Sequence, residues 1–412
     1  MDEERLKKSF QNLKKDIDNL RDSFEGISEK ISYFNELFPK KVQDKKSEKI
    51  FTSKVFVNDD MKKAVDEVFD SGVFTSGPKT AEFEKKFAEY CGIKNAIAVS
   101  NGTVAIELVL KSLGIGKGDE VIVPSNTTMP TIEPILTVNA TPVFADIFED
   151  TYLINPKEVE KLITKKTKAV IAVHLYGNAA DLDSLKKICE KNKIFLIEDC
   201  AQAHGTRYNG KHVGTFGIAG CFSFYPTKNI TVCGEGGMII TNVDNISRMS
   251  KMIRSHGEDG RYNHVVHGNN YRLSEIHSAI GIKQLELLES FIERRRELAD
   301  VYNKCFNGID GIILPIETKN AKHSYHLYVI RVDKKIRNKI IEELAKDNIF
   351  AGVHYPIPAH KQIVIRNIMK TPKIKITEKI VDKIISLPMY PLLEDEEAIM
   401  IAEKVKKIIS SA

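Results

Sequence analysis

The chain has 412 residues, 42% of them hydrophobic and 28% charged, with a formal net charge of +5. This is ample apolar material for a large core and more than one domain. The positive charge is spread along the chain rather than gathered into a stripe, which argues against nucleic acid as a partner, and no apolar run approaches the ~20 residues that would make a transmembrane segment. The charged N-terminus has no apolar signal region, so a cytoplasmic location is expected.

Leu6, Phe10, Leu13, Ile17, Leu20, Phe24, Ile27, Ile31, Phe34 and Phe38 recur at spacings of four and three, the pattern of a heptad seam. A helix over 6–38 would be about 50 Å long at ~1.5 Å per residue. It ends before Pro39 and a lysine-rich linker, so 1–50 is expected to be an N-terminal amphipathic or coiled-coil helix with its linker. Gly26 weakens this helix, and the flanking charges offer little beyond Asp16 and Arg21 for pairing between parallel strands. Packing on the chain's own catalytic domain, self-association into a higher assembly, and docking to a membrane surface or another enzyme all stay open.

Beyond the linker, apolar runs at 96–99, 120–123, 142–145, 169–173, 194–197, 220–224 and 238–241 alternate with helical patterns. That alternation predicts an α/β domain over 51–297 around a largely parallel sheet, buried on both faces. An amphipathic segment over 273–302 leads into a smaller α/β domain at 298–412, with a strand at 325–332, a helix at 335–347 and another after Glu394. The basic run Arg294-Arg295-Arg296 reads as a solvated helix face.

Two residues in these strand-end segments carry chemistry. Lys228 follows the apolar run 220–224, and Asp199 closes the run 194–197. A lysine amine forms a Schiff base with an aldehyde, and a buried carboxylate can keep a pyridine nitrogen protonated; these are the two poles of a pyridoxal phosphate site. Taken singly, each residue reads more simply, Lys228 as one more solvated lysine and Asp199 as a helix cap. Ser100-Asn101-Gly102-Thr103 reads as a strand, a glycine turn and a helix start, whose free amides make an anion cradle for a phosphate, and the Ser223 hydroxyl can add a donor.

With these residues in place, the chain resembles the DegT/StrS group of nucleotide-sugar aminotransferases from about Phe56 to Pro391. The resemblance rests on ordered motifs at 75–84, 100–103, 174–177, 198–205, 223–228, 234–237 and 270–275. It implies a fold-type I transferase using pyridoxal 5′-phosphate, with Lys228 as the Schiff-base lysine, Asp199 on the pyridine nitrogen and Gln202 on the ring hydroxyl. It further implies that Gly102, Thr103 and Ser223 hold the phosphate, and that Asn270 reaches in from the neighbouring subunit of a homodimer. The activity so implied is transfer of an amino group from L-glutamate to a nucleotide-linked keto sugar, giving an amino sugar for surface polysaccharides or glycoconjugates.

One position departs from the family pattern: Thr128 stands where most relatives carry an aromatic residue stacked on the ring, so contact with the ring face is expected to be weaker or supplied by another group such as Asn126 or Met129, with a family variant of no kinetic consequence as the open alternative. Arg272 is the candidate for a substrate anion. His354, Tyr355 and His360, in a proline-stiffened segment that resembles the loop of enzymes aminating C3, are candidates for sugar hydroxyls, which favours a 3-keto over a 4-keto sugar. Six cysteines show no Cys-x-x-Cys pair and eleven histidines no ligand spacing, so no metal is expected. A non-catalytic, cofactor-binding regulatory or scaffold protein is one alternative. A sugar dehydratase of the same family is another, although such relatives carry histidine where Lys228 stands.

Overall fold

The computed structural model describes residues 49–411, and the heptad segment lies outside them. The described residues open with the helices Asp59–Ser71 and Pro78–Cys91, then alternate β1 (Asn95–Val99), β2 (Glu120–Pro124), β3 (Thr141–Ala145), β4 (Thr167–Val173) and β5 (Phe195–Asp199) with the helices Gly102–Ser112, Met129–Thr137, Pro156–Leu162 and Leu182–Asn192. A small hairpin of β6 (Arg207–Tyr208) and β7 (Lys211–His212) follows, then β8 (Ala219–Ser223) and β9 (Gly237–Thr241). The central sheet is seven-stranded in the order β1-β9-β8-β5-β4-β2-β3. Pairing is parallel from β8 through β5, β4 and β2 to β3, and β9 alone runs against its neighbours.

Both faces of the sheet are covered, which is why its strands read as apolar runs rather than alternating ones. Ile97, Val99, Val121, Val123, Ile171 and Val173 point into one core, while Ala98, Ile122, Val170 and Ala172 point into the other. The expected large-domain strands are all present within a residue or two of their expected ends.

The helix Glu275–Phe306 is 32 residues long, opened by Ser274, whose Oγ accepts from the His277 amide at 3.2 Å. Its first turns pack on the central-sheet layer. Its last turns, with Leu298, Tyr302 and Phe306, enter a separate core formed with Tyr328, Ile330, Ile385 and Leu387. Arg295, expected on a solvated face, is instead 3% exposed and donates to the carbonyls of Tyr325, His326 and Met389, at 2.8 Å for Met389. At the crossing the helix keeps an exposed face at Glu293, Glu297 and Asp300, while Arg295 lies on the inner face, where its guanidinium satisfies carbonyls that no strand pairs.

The C-terminal part adds β10 (Ala321–Lys322) to the β6–β7 hairpin, and pairs β11 (Tyr328–Arg331) with β12 (Ile384–Leu387) antiparallel, covered by the helices Lys334–Lys346 and Asp395–Ser410. β11 begins later than the run 325–332 predicts. The preceding residues bond the turn after β4 instead: Ser324 N donates to Gly177 O at 2.9 Å and Leu327 N to Tyr176 O at 3.2 Å.

Candidate active site

Parallel strands of an α/β sheet all present their C-terminal ends at one edge, and ligands gather there. β5 and β8 are neighbours, so Asp199 and Ser223, the last residues of each, share that edge. β1 lies beyond β9, and its exit turn carries Asn101, whose Oδ1 caps the helix Gly102–Ser112 by accepting from the Val104 amide at 2.9 Å. The amides of Gly102 and Thr103 are first-turn donors that no intrahelical carbonyl can satisfy.

Two glycines let this turn sit against the sheet. A Cβ on Gly102 would stand 2.8 Å from the Ser223 Cβ, and one on Gly237 would stand 2.4 Å from the Asn101 carbonyl. The result is a cavity of about 810 Å³ lined by Gly102, Thr103, Thr128, Asp199, Ser223, Lys228, His354 and Tyr355, with Tyr225 and Glu235 at its wall.

Asp199 is 5% exposed, and its carboxylate is held on both oxygens: Oδ1 accepts from the Ala201 amide at 3.0 Å and Oδ2 from the Thr131 hydroxyl at 2.8 Å. Burial pushes its pKa up; the two donors and the charge of Lys228 oppose that without reversing it. Lys228 lies in the β8–β9 connection, its amide donating to Tyr225 O at 2.9 Å. Burial pushes its amine pKa down, with Asp199 acting against the shift, so more of the free amine is available near neutrality. A cationic ring nitrogen answers Asp199, an aldehyde answers Lys228, and a phosphate answers the Gly102–Thr103 amides with Ser223. The donor set and the glycine-shaped cradle fit pyridoxal phosphate.

Gln202 is 5% exposed and does not itself line the cavity; its Oε1 accepts from the Tyr176 amide at 2.7 Å and its Nε2 donates to Tyr355 Oη, which does, at 2.8 Å. Thr128 lines the cavity, whereas Asn126 and Met129, the expected substitutes for a stacking ring, do not. Asn126 is 2% exposed and turned toward the Tyr152 carbonyl. The aromatic groups of the lining are Tyr225, His354 and Tyr355 instead.

His354 reaches the cavity while its Nδ1 meets Ser386 Oγ at 2.7 Å; burial, reinforced by Lys228, pushes its pKa down to about 4. His360 is different: it is 1% exposed, its Nδ1 is bonded to Ser125 Oγ and its Nε2 lies 3.2 Å from Glu378. Both ring nitrogens are thus committed, and the residue anchors the segment that carries His354 and Tyr355 rather than offering a nitrogen to a sugar. Asn270 is exposed and Arg272 half-buried, and neither lines the cavity. Tyr271, between them, is pinned to the cradle, since Ser100 N donates to Tyr271 O at 2.8 Å and Tyr271 Oη reaches Glu107 at 3.3 Å.

Tyr225 and Glu235 were not singled out from the sequence, although both sit in the motifs that surround Lys228. Among the described residues, His174, Glu198 and Cys200 form the one grouping spaced for a metal. Its polar atoms are already engaged: His174 Nδ1 accepts from the Ala180 amide at 3.1 Å and Nε2 meets Glu198 at 3.0 Å, while Glu198 also accepts from the amides of Gly214, Phe216 and Gly217.

Comparison with known proteins agrees with this geometry. The sequence profile described as the DegT/DnrJ/EryC1/StrS aminotransferase family matches residues 56–406. The chain is 40% identical over 348 residues to a dTDP-3-amino-3,6-dideoxy-alpha-D-galactopyranose transaminase of Aneurinibacillus thermoaerophilus, covering 84% of this chain and 95% of that one. Among solved structures it is similar to S. venezuelae DesV in complex with a ketimine intermediate, at a TM-score of 0.82 and 35% identity over 84% of this chain and 93% of that one. It is also similar to the PMP-form of the putative sugar aminotransferase Spr1654 from Streptococcus pneumoniae, at a TM-score of 0.85 and 30% identity over 88% of this chain and 98% of that one.

Proposed function

Since the chain belongs to the DegT/DnrJ/EryC1/StrS aminotransferase family, we propose that it moves an amino group from L-glutamate to a keto sugar carried on a nucleoside diphosphate, a 3-keto sugar in preference to a 4-keto one. The observation that carries the reading is the convergence of Lys228, Asp199, Ser223 and the Gly102–Thr103 turn on one cavity. When bound there, pyridoxal phosphate supplies an aldehyde for amines and a protonated ring that accepts the electron pair left at the donor Cα.

The residues divide the work. The Lys228 amine, its pKa pushed down by burial, is the nucleophile toward the aldehyde. Once the donor amino group has taken its place, Lys228 Nζ lifts the proton from the donor Cα and returns it to the neighbouring reacting carbon. Asp199, oriented by Thr131 and the Ala201 amide, holds the proton on the ring nitrogen. The first-turn amides and Ser223 anchor the phosphate, and Gln202 holds the ring hydroxyl oxygen.

Arg272 is assigned to an anionic group of the substrates, and Asn270, exposed on its own protomer, to the site of a second copy in a homodimer. The preference for C3 rests on the segment bearing His354 and Tyr355 and on the 3-amino sugar in the name of the Aneurinibacillus relative.

The test is spectroscopic. Protein reconstituted with pyridoxal phosphate is expected to show a visible band that bleaches with L-glutamate and returns when a nucleotide-linked 3-keto sugar is added, with the new amine at C3 by NMR. A band that ignores glutamate would overturn the donor assignment, and an amine at C4 would overturn the regiochemistry.

A further inference from the structure

We propose that Tyr355 is a second hydrogen-bond donor to the phenolic oxygen of the cofactor ring, acting beside Gln202; the inference rests on the pyridoxal phosphate reading above. The orientation of Gln202 is settled by its surroundings. Its Oε1 accepts from the Tyr176 amide at 2.7 Å, so its nitrogen faces the other way and donates to Tyr355 Oη at 2.8 Å. An amide nitrogen carries two hydrogens, and a phenol that accepts one bond keeps its own hydrogen to give. A ring oxygen that takes the remaining Gln202 hydrogen is therefore within reach of the Tyr355 hydroxyl as well. Tyr355 lines the cavity together with Asp199, Ala201 and Lys228, which bound the space assigned to the ring.

Tyr355 is held in place before any ligand arrives. The Tyr176 hydroxyl donates to the carbonyl of His354, His354 Nδ1 meets Ser386 Oγ at 2.7 Å, and the Ala359 amide donates to Ser125 O at 3.0 Å. The titratable groups around the phenol are Asp199 at the end of β5, Tyr176 after β4, Lys228 on the β8–β9 connection and His354 beside it. Burial, followed by the charge of Asp199, pushes the Tyr355 pKa up to about 12, so it remains a protonated donor throughout the working range. Thr128 bears on the same point: its hydroxyl adjoins that of Tyr355, where relatives by resemblance bring an aromatic face.

A donor on the phenolic oxygen stabilises the oxyanion, and the proton shared between that oxygen and the Lys228-linked nitrogen is then released at lower pH. The experiment is a pH titration of the visible absorbance of the pyridoxal phosphate-loaded protein, wild type against Tyr355→Phe, with thermal unfolding as the check on folding. The expected result is an upward move of the midpoint by about one pH unit, the scale of one differential hydrogen bond to a charged group. Tyr355→His, which restores a donor, is expected to bring the midpoint part of the way back, whereas a purely structural role predicts the same midpoint in both variants. A wild-type band with an unmoved midpoint in Tyr355→Phe overturns the inference and leaves the proposed function standing. Absence of any pH-dependent band in the wild type overturns both.

Discussion

The two walls of the cavity are built on different physical terms. One wall consists of the strand ends at Asp199 and Ser223 and the helix start at Gly102, which neighbouring strands of one sheet bring to one edge. The other is the segment bearing His354 and Tyr355, which has no strand of its own and is held by separate hydrogen bonds to Ser125, Tyr176, Ser386, Gln202 and Glu378. The first wall should tolerate little change in chemistry yet stay folded when its charges are removed. The second should lose order first and chemistry as a consequence.

The comparison breaks most sharply at Lys228. Lys228→Ala should reduce transamination by at least the ~10⁴-fold upper range for a positioned acid–base group, and should abolish covalent trapping of pyridoxal phosphate by borohydride, read by mass spectrometry. Asp199→Asn should lower turnover on the order of a hundredfold, within the range of a lost acid–base or charge-assisted partner, with the cofactor still bound in the equilibrium dialysis assay.

Both substitutions should raise the melting temperature of the cofactor-free protein near neutral pH. Asp199 has a folded pKa above its unfolded one, so its favourable contribution is present below the ordinary carboxylate range and is lost as pH rises through the folded value. Lys228 has a folded pKa below its unfolded one, so its contribution is present at high pH and is lost as pH falls through the folded value. At neutrality each group is an ionisable side chain held where burial disfavours its charge. A melting curve in Asp199→Asn or Lys228→Ala that drops at pH 7 would reverse the picture of the first wall as a strained, functional surface.

Gly102→Ala should weaken cofactor binding about tenfold, measured by fluorescence titration, because a Cβ 2.8 Å from that of Ser223 must push the helix start away from the phosphate. The smallest effect on chemistry should come from the second wall. His360→Ala should cost about 1–3 kcal/mol of unfolding free energy through the orphaned Ser125 and Glu378 groups and should raise the KM for the sugar more than it lowers kcat. A pure kcat loss with unchanged stability would instead make His360 a group that touches substrate.

The catalytic wall was legible in the sequence because its chemistry sits in short, contiguous motifs. Apolar runs announce β5 and β8, and the residues just past an apolar run must emerge at the sheet edge, so Asp199, Ser223 and Lys228 could be read without coordinates. The loop wall was less so. His360 and His354 look alike in sequence, and only their distant partners, Ser125 with Glu378 and Ser386, separate an anchor from a cavity residue. Arg295 is the same lesson in the core, because nothing local tells that its position faces inward where the long helix crosses between two cores.

The sequence by itself determined the strands, their largely parallel arrangement and the identity of the groups proposed to meet the cofactor, since periodicity and strand-end position are local properties of the chain. Tertiary structure alone decided which side chains face the cavity, that Tyr355 rather than Asn126 or Met129 comes up beside Thr128, and that Gln202 is turned with its nitrogen toward that phenol. Those outcomes depend on pairs far apart in the chain, whose meeting is set by strand order and by the packing of the C-terminal core, and no local pattern encodes a distance of that kind.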